Sequence, residues 1–251
     1  MAAAVIGRTV KQAARHLVTR CGSFRLYSLM RKVSGENVEH LSCESLAERF
    51  SAIYTKRVWL NGRQSGSLSG MGSELGSTEW IRLRLPAMLE SLGTRVLLDI
   101  GCGDFNWMKE VSLPCDYIGV DIVREVVAAN ASLYGSAGRS FRVLDATRDS
   151  LPPADTILCR EVLIHLSFDD IWRVVGNARD SGASFLIATS DCEIRLNADI
   201  VSGDFRPLNL RRAPFRFPEP FLSLSDNKVA PGRALSAWAV SALPRPRTLA
   251  P

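Results

Sequence analysis

From Arg95 onward the sequence alternates short apolar runs with helical patterns, and this alternation limits the folds open to the chain. The apolar runs lie at 95–100, 117–122, 140–146, 155–160 and 184–190, with helical patterns from Asp104, at 124–135 and at 167–182. Strands that alternate with helices form a parallel sheet covered on both faces. Two more apolar runs, at 221–226 and 233–240, add strands. The prediction is an α/β, doubly wound, seven-stranded, mostly parallel sheet with helices on both faces.

Length and composition favour one such domain with appended segments. The chain has 251 residues, 46% hydrophobic and 23% charged, which one core can support. We predict a basic helical extension over 1–60, a Ser/Gly-rich loop and helix over 61–94, and the core over 95–245. A polar insertion interrupts the core at about 191–220. No apolar run reaches the ~18 residues that a membrane-spanning helix needs.

The net charge of +5 is concentrated at the N-terminus. Residues 1–35 hold seven of the 31 basic residues and no acid, so the remainder is near neutral. A near-neutral core argues against a nucleic-acid partner. The basic segment fits an amphipathic helix that contacts a membrane surface or a protein, an organelle transit peptide, or a solvated helix.

Cysteine and histidine usage indicates neither a disulfide framework nor a metal site. The six cysteines are scattered without a Cys-x-x-Cys pair, and there are three histidines. This pattern predicts no metal and a reducing compartment. We therefore expect a cytoplasmic protein, unless the basic N-terminus directs it to an organelle or a membrane surface.

The segment "GRQSGSLSGMGSELGST", residues 62–78, has the composition of a flexible connection. A helix is predicted to follow, with Thr78 as its N-cap and Gly93 as its left-handed C-cap. Pro86 should kink or divide this helix.

Acidic and glycine residues follow the predicted strands at their C-terminal ends. Strand one ends in Asp99 and the sequence Gly-Cys-Gly at 101–103, strand two in Asp121 and strand three in Asp145. Ligands of doubly wound sheets bind beyond these ends. Gly101 and Gly103 can adopt backbone angles closed to other residues and let a ligand lie against the chain.

The glycine loop differs from a dinucleotide-binding loop. The third glycine of that fingerprint is replaced by Asn106, and Asp104 stands at the predicted helix start. A carboxylate there repels phosphate, so a phosphate-free cationic nucleoside such as S-adenosylmethionine fits better than NAD. Asp121 has two acceptor oxygens for ribose hydroxyls, and Asp145 could accept a hydrogen bond from an adenine amino group.

The motifs "LLDIGCGDFNW", "YIGVDI", "LDAT" and "DTILCREVLIHLS" occur in the order and spacing of class I S-adenosylmethionine-dependent methyltransferases. Residues 95–190 resemble that family, specifically a bacterial small-molecule subgroup, and the resemblance implies a Rossmann-like fold. It also implies that Asp99, Gly101 and Gly103 surround the methionine part of the cofactor. The ribose would lie at Asp121 and Ile122, and the adenine at Asp145 and Ala146.

By the same resemblance, the Ser/Gly-rich loop and the next helix would close over the cofactor as a lid, with Arg82 facing the carboxylate of its amino-acid part. The alternative is a plain linker with a solvated arginine. Glu161 and His165, after strand four, would face the transferred methyl group as proton acceptors. Packing and a backbone hydrogen bond would explain His165 equally well.

The polar insertion after strand five is the predicted substrate region. Asn197, Arg206 and Asn209 offer polar recognition there, with Asp199 and Phe205 beside them. A structured cover over the sheet is the alternative. Base-methyltransferase signatures are absent, and Cys159 fits a buried strand position better than a nucleophile.

The function predicted from these residues is methyl transfer from S-adenosylmethionine to a small-molecule or sugar-containing acceptor, without a metal. One alternative is a non-catalytic, cofactor-binding subunit that docks to a partner through its basic N-terminus. An NAD-dependent oxidoreductase is disfavoured by Asn106. The acceptor, the oligomeric state and the fate of the N-terminal segment stay open.

Overall fold

The computed structural model describes Arg31, Val33 and residues 37–245. Its α-helices in this range are α1 (Leu46–Thr55), α2 (Leu75–Ser91), α3 (Arg124–Tyr134) and α4 (Phe168–Asp180). Its strands are β1 (Val96–Ile100), β2 (Asp116–Asp121), β3 (Arg139–Val143), β4 (Thr156–Cys159), β5 (Phe185–Asp191), β6 (Leu222–Ser225) and β7 (Arg233–Ala239). Short 3-10 helices lie at Glu39–Ser42, Val58–Leu60, Met71–Ser73, Met108–Glu110, Leu163–His165 and Val240–Ala242.

The strands form one seven-stranded sheet in the order β3-β2-β1-β4-β5-β7-β6. The first five are parallel, and β7 runs antiparallel between β5 and β6. The predicted fold class is therefore confirmed. Because β2, β1 and β4 are parallel neighbours, their C-terminal ends meet at one edge of the sheet.

Consecutive strand residues face opposite sides of the sheet and pack against different helices. Leu98 and Ile157 belong to the cluster that contains α4, whereas Leu97 and Leu158 belong to the cluster that contains α2. All four side chains are fully buried. Burial of each contributes about 1.5–3 kcal/mol, which explains why these strands read as continuous apolar runs.

The predicted helix from Asp104 is wrong. Turns follow the glycine loop, and a single 3-10 turn spans Met108–Glu110. Phe105 has φ 56° and is buried against the rings of Tyr117, Tyr134 and Phe141. A left-handed residue with its ring in the core cannot continue a helix.

Helix α2 begins one turn earlier than predicted. Its N-cap is Glu74, and Thr78 lies in the first turn, where its hydroxyl donates to the Glu74 carbonyl at 2.9 Å. The helix is not divided at Pro86. Gly93 has φ 63°, the left-handed conformation predicted for it.

The insertion after β5 is a structured cover, and the residues predicted to bind substrate, Asn197, Arg206 and Asn209, hydrogen-bond to backbone groups and do not line the cavity. Asn197 Nδ2 donates to the carbonyls of Asn209 and Ala213, and its Oδ1 accepts the Asn209 amide. Arg206 is fully buried and donates to the carbonyls of Leu163, Leu166 and Ala198. These side chains hydrogen-bond to the backbone, because the amides and carbonyls of an irregular buried segment need partners.

Most of the predicted N-terminal amphipathic helix lies outside the described residues, and its contacts and the segment boundaries stay predictions. Arg31 and Val33 are helical. Among the helices of the described part, none is long and apolar enough to cross a bilayer.

Replacing Asn197 by Ala should destabilise the protein by about 2–3 kcal/mol, because the buried amide and carbonyl of Asn209 and the carbonyl of Ala213 lose their partner. Urea unfolding checks the change, with the exposed Asn227→Ala variant as the control. A loss below about 1 kcal/mol would contradict the assignment of Asn197 to the structured cover.

Candidate cofactor and acceptor cavity

A solvent-open cavity lies at the C-terminal ends of β1, β2 and β4, with an empty space of about 940 Å³ that includes open solvent. Nine residues predicted for the site line it, namely Asp99, Gly101, Gly103, Asp121, Ile122, Asp145, Ala146, Glu161 and His165. The remaining four, Arg82, Asn197, Arg206 and Asn209, do not. The fold thus brings the strand-end residues together and leaves out the residues taken from other segments.

The glycine loop is tight because protein atoms approach its backbone. Gly101 and Gly103 have φ 70° and 58°. A Cβ at Gly101 would lie 2.4 Å from Cγ2 of Val162, and one at Gly103 would lie 2.3 Å from Oγ of Ser69. Glycine is therefore required both by the backbone angle and by the neighbouring β4 turn and Ser/Gly-rich loop.

Asp121 closes β2 with its carboxylate at the cavity wall. Its Oδ2 accepts the Gly103 amide and its Oδ1 accepts the Val123 amide, each at 3.0 Å. Burial raises the pKa of Asp121, and these amide hydrogen bonds oppose the rise. Each oxygen keeps a lone pair for a further donor, which is the geometry needed to hold two neighbouring hydroxyls.

Asp99 lies beneath the glycine loop in a buried position. The hydroxyl of Tyr117 donates to its Oδ2 at 2.6 Å. Burial raises the pKa of Asp99 to about 7, against the opposing effects of the Tyr117 hydrogen bond and Arg160. Asp99 can therefore change charge near neutral pH at the floor of the cavity.

Asp145 and Ala146 lie in the turn that follows β3. Oδ1 of Asp145 accepts both the amide and the hydroxyl of Thr147, at 2.9 and 2.6 Å. The Ala146 carbonyl accepts from Asn177 Nδ2 at 2.9 Å. Helix α4 thus fixes the turn, and Asp145 keeps acceptor capacity toward the cavity.

Asp104 holds the Ser/Gly-rich loop against the cavity instead of capping a helix. Its carboxylate accepts the Ser67 hydroxyl at 2.9 and 3.0 Å and the Leu68 amide at 2.7 Å. Ser69 Oγ accepts the Asp104 amide and hydrogen-bonds the Tyr54 hydroxyl. The loop is therefore seated on the glycine loop by specific hydrogen bonds.

Arg160 is the cation that lines the cavity, in place of the predicted Arg82. Arg160 donates to Asp226 Oδ2 at 2.9 and 3.1 Å and to the Gly72 carbonyl at 2.8 Å. Its guanidinium lies 5.2 Å from the Trp107 ring centre. Arg82 instead donates to the Leu75 carbonyl of its own helix, outside the cavity lining.

Glu161 follows Arg160 and has a left-handed backbone conformation, with φ 60°. Its side chain takes part in a buried ion pair. Arg233 Nη1 binds both oxygens of Glu161, at 2.8 and 3.0 Å, and Arg233 also binds Asp191 through Nε and Nη2. Burial raises the pKa of Glu161 and Arg233 opposes the rise. Glu161 would have to leave this pair to accept a proton.

His165 presents one ring nitrogen to the cavity. Its Nδ1 lies 2.8 Å from the Asp204 carbonyl. Because a carbonyl only accepts, Nδ1 carries the proton and Nε2 keeps a lone pair in the neutral ring. Burial lowers the pKa of His165 to about 4, and the rings of Trp59 and Phe205 pack beside it.

Several other lining residues were not predicted from the sequence. Tyr54 of α1 and Trp59 of the next turn form an aromatic wall beside His165. Arg160 could have been predicted from the sequence, because it directly precedes Glu161 at a strand end. Tyr54 and Trp59 could not, because their spacing is that of an ordinary amphipathic helix. In the described residues, no cluster of His, Cys, Asp and Glu could hold a metal ion.

The glycine loop, the acidic strand ends and their order are matched by a known domain model. The family model described as "Methyltransferase domain" matches residues 98–181, from within β1 to the end of α4. This part of the chain matches a methyltransferase domain. The resemblance of these residues to class I S-adenosylmethionine-dependent methyltransferases is confirmed, whereas the enzyme activity and the cofactor of the whole protein are proposals. The bacterial small-molecule subgroup stays a prediction.

Several solved structures resemble the domain at low identity. The N-terminal domain of EvdMO1, solved with S-adenosylhomocysteine and D-fucose present, is 18% identical, with 45% of this chain and 51% of that chain covered and a TM-score of 0.38. Magnesium protoporphyrin IX methyltransferase from Synechocystis PCC 6803, with bound S-adenosylhomocysteine, is 17% identical, with 58% and 70% covered and a TM-score of 0.44.

The N-methyltransferase NodS from Bradyrhizobium japonicum WM9, in complex with S-adenosylhomocysteine, is 18% identical, with 55% of this chain and 73% of that chain covered and a TM-score of 0.42. This chain thus spans about half the length of the EvdMO1 domain. Among curated proteins, none matches the chain significantly.

The raised pKa of Asp99 predicts a pH-dependent effect of Asp99→Asn on stability. Folded Asp99 keeps its proton up to about pH 7, whereas the ordinary value is 3.8, so Asp99 lowers wild-type stability as the pH rises through this window. The variant should therefore gain stability relative to wild type between pH 5 and 8, to an extent of order 1 kcal/mol or more.

Thermal unfolding at each pH measures this difference, with the exposed Asp116→Asn variant as the control. A difference between Asp99→Asn and wild type that stays constant with pH would show that Asp99 does not titrate in this window.

Replacing Asp104 by Ala should release the Ser/Gly-rich loop, because Ser67 and Leu68 lose their acceptor. At about 1 kcal/mol per lost hydrogen bond, opening should become about tenfold more frequent or more. Limited trypsin digestion with mass spectrometry measures cleavage after Arg63. Equal cleavage rates in Asp104→Ala, the control Asp116→Ala and wild type would show that Asp104 does not hold the loop.

Proposed function

We propose that the protein transfers a methyl group from S-adenosylmethionine to a small-molecule acceptor. The observation that carries this proposal is the pairing of the Asp121 carboxylate with the Gly101–Gly103 loop at one cavity, with no α-helix after the loop. A carboxylate suits ribose hydroxyls, and the missing helix N-terminus removes the usual pyrophosphate site. A sugar-containing acceptor stays within this proposal.

The cavity residues divide into three groups by the part of the cofactor they suit. Asp121 and Ile122 would hold the ribose, and Asp145 and Ala146 the adenine, at the β2 and β3 ends. Asp99 and the glycine loop would surround the amino-acid part. Arg160, which has two further N–H groups beyond its three bonded contacts, takes the role first assigned to Arg82.

The acceptor would lie beside His165, against the aromatic wall of Tyr54 and Trp59, with Phe50 next to Trp59. This wall packs against Val123 and Val126, which follow the C-terminal end of β2. This placement moves the acceptor site from the insertion at 191–220 to α1 and the turn after it. Aromatic walls suit the apolar body of a small molecule.

When bound, S-adenosylmethionine supplies an electrophilic methyl group. The chain's own contribution is alignment of the acceptor with that group and exclusion of water by the Ser/Gly-rich loop. For a hydroxyl or ammonium acceptor, Nε2 of neutral His165 takes the proton. The carboxylate of Glu161, held in place by Arg233, contributes to the electrostatic potential beside the acceptor.

Titration calorimetry of S-adenosylmethionine into the purified protein tests this proposal. We expect micromolar binding that Asp121→Ala weakens at least about tenfold, because charge-assisted hydrogen bonds are lost. Asp121→Asn should weaken binding less, and the control Asp116→Ala should bind as wild type. NADH should not compete.

A folded wild-type protein that fails to bind S-adenosylmethionine would contradict the proposal. If it binds, incubation with labelled cofactor and a panel of hydroxyl and amine acceptors should transfer label to one class. Tight binding without transfer to any acceptor, at any pH from 6 to 9, would favour the non-catalytic subunit instead.

A further inference from the structure

The loop of residues 202–206 lies between the N-terminal elements and the turn that carries His165. Its Asp204 carbonyl accepts the proton of His165 Nδ1 at 2.8 Å, and its Gly203 amide donates to the His165 carbonyl at 2.8 Å. Arg206 adds bonds to the carbonyls of Leu163 and Leu166 on either side. The loop therefore holds His165 by both its ring and its backbone.

Three side chains from the N-terminal part of the chain also hydrogen-bond to this loop. Three consecutive loop residues are bound in turn, Ser202 by Arg49 Nη1 at 3.2 Å, Gly203 by His40 Nε2 at 3.1 Å, and Asp204 Oδ1 by Arg31 Nη1 at 2.7 Å. The loop thus binds the guanidinium groups of Arg31 and Arg49 and the ring of His40, and it also binds the His165 turn.

The ion pair between Arg31 and Asp204 is the contact most able to move His165. The Asp204 side chain is 3% exposed and the Arg31 side chain 19% exposed. A buried carboxylate that loses its cation is strongly destabilised and moves toward water. The carbonyl that fixes the His165 ring belongs to the same residue, so such a movement would release the ring.

We propose that Arg31 and Asp204 are positioning residues, through whose ion pair the 202–206 loop orients His165 in the cavity. This proposal rests on the proposed function, in which His165 accepts the proton of the acceptor. It gives one cation of the basic stretch, Arg31, a contact on its own chain. An intramolecular role of this kind differs from the membrane or protein contact expected from composition.

The test uses the full-length chain and nitrogen-15 NMR of its three histidines, with His165 assigned from a His165→Gln variant. Wild-type His165 should be the neutral Nδ1–H tautomer with a pKa near 4. In Arg31→Ala the tautomers should mix and the pKa should rise toward 6.5, because water reaches the ring. Arg31→Lys should restore the wild-type signals, and the exposed Arg173→Ala should not change them.

Asp204→Asn separates positioning from simple electrostatics. The charged groups that face His165 are Asp204, Arg206 and Arg233. Loss of the Asp204 charge alone would lower the pKa of His165, whereas release of the ring raises it. We expect a rise in Asp204→Asn, in the same direction as in Arg31→Ala.

Unchanged His165 signals in both variants, or a lowered pKa in Asp204→Asn, would overturn the positioning role. Affinity for S-adenosylmethionine should stay within about twofold of wild type in both variants, since Arg31 and Asp204 lie outside the cavity lining. A wild-type protein that shows the expected His165 tautomer but binds no cofactor would refute the proposed function and leave the positioning contact established.

Discussion

Parallel pairing of β1 with β2 on one side and β4 on the other is the constraint on which the cavity depends. The register places Asp99 opposite Gly119 and Leu158, so the three strands run in step toward one edge. The chain must then leave the sheet three times within a small area. Gly101 and Gly103 provide the exit after β1 and the left-handed Glu161 the exit after β4, without blocking the space beyond them.

The antiparallel strand β7 has a specific electrostatic role at this edge. Because it runs against its neighbours, its first residue, Arg233, lies opposite Asp191 at the end of β5. From there Arg233 reaches Glu161, and Asp226, just after β6, reaches Arg160. Two buried guanidinium groups thus balance carboxylates that would otherwise be very costly to bury. The antiparallel direction of β7 therefore determines which carboxylates can be buried beside the cavity.

Helix α1 and the Ser/Gly-rich loop, which precede the sheet in the sequence, complete the lining of the cavity. Asp104 and Asn106 bind the backbone and hydroxyls of the Ser/Gly-rich loop, so the features that argue against a phosphate site also seat this loop. Helix α1 supplies the aromatic wall, and the insertion after β5 supports His165 from behind. Of the residues predicted for substrate recognition in that insertion, Arg206 stabilises the turn that carries His165, whereas Asn197 and Asn209 hold the insertion itself together.

The sequence by itself determined the strands, their order of alternation with helices, and nine of the residues at the cavity, because apolar periodicity and strand-end position are local signals. It could not show that Phe105 would adopt a left-handed conformation and end the expected helix, since burial of its ring among three others decides that. Nor could it distinguish Arg82 from Arg160, or a recognition residue such as Asn197 from a structural one. Those outcomes depend on which distant backbone carbonyls and carboxylates each side chain meets, and only the tertiary structure decides that.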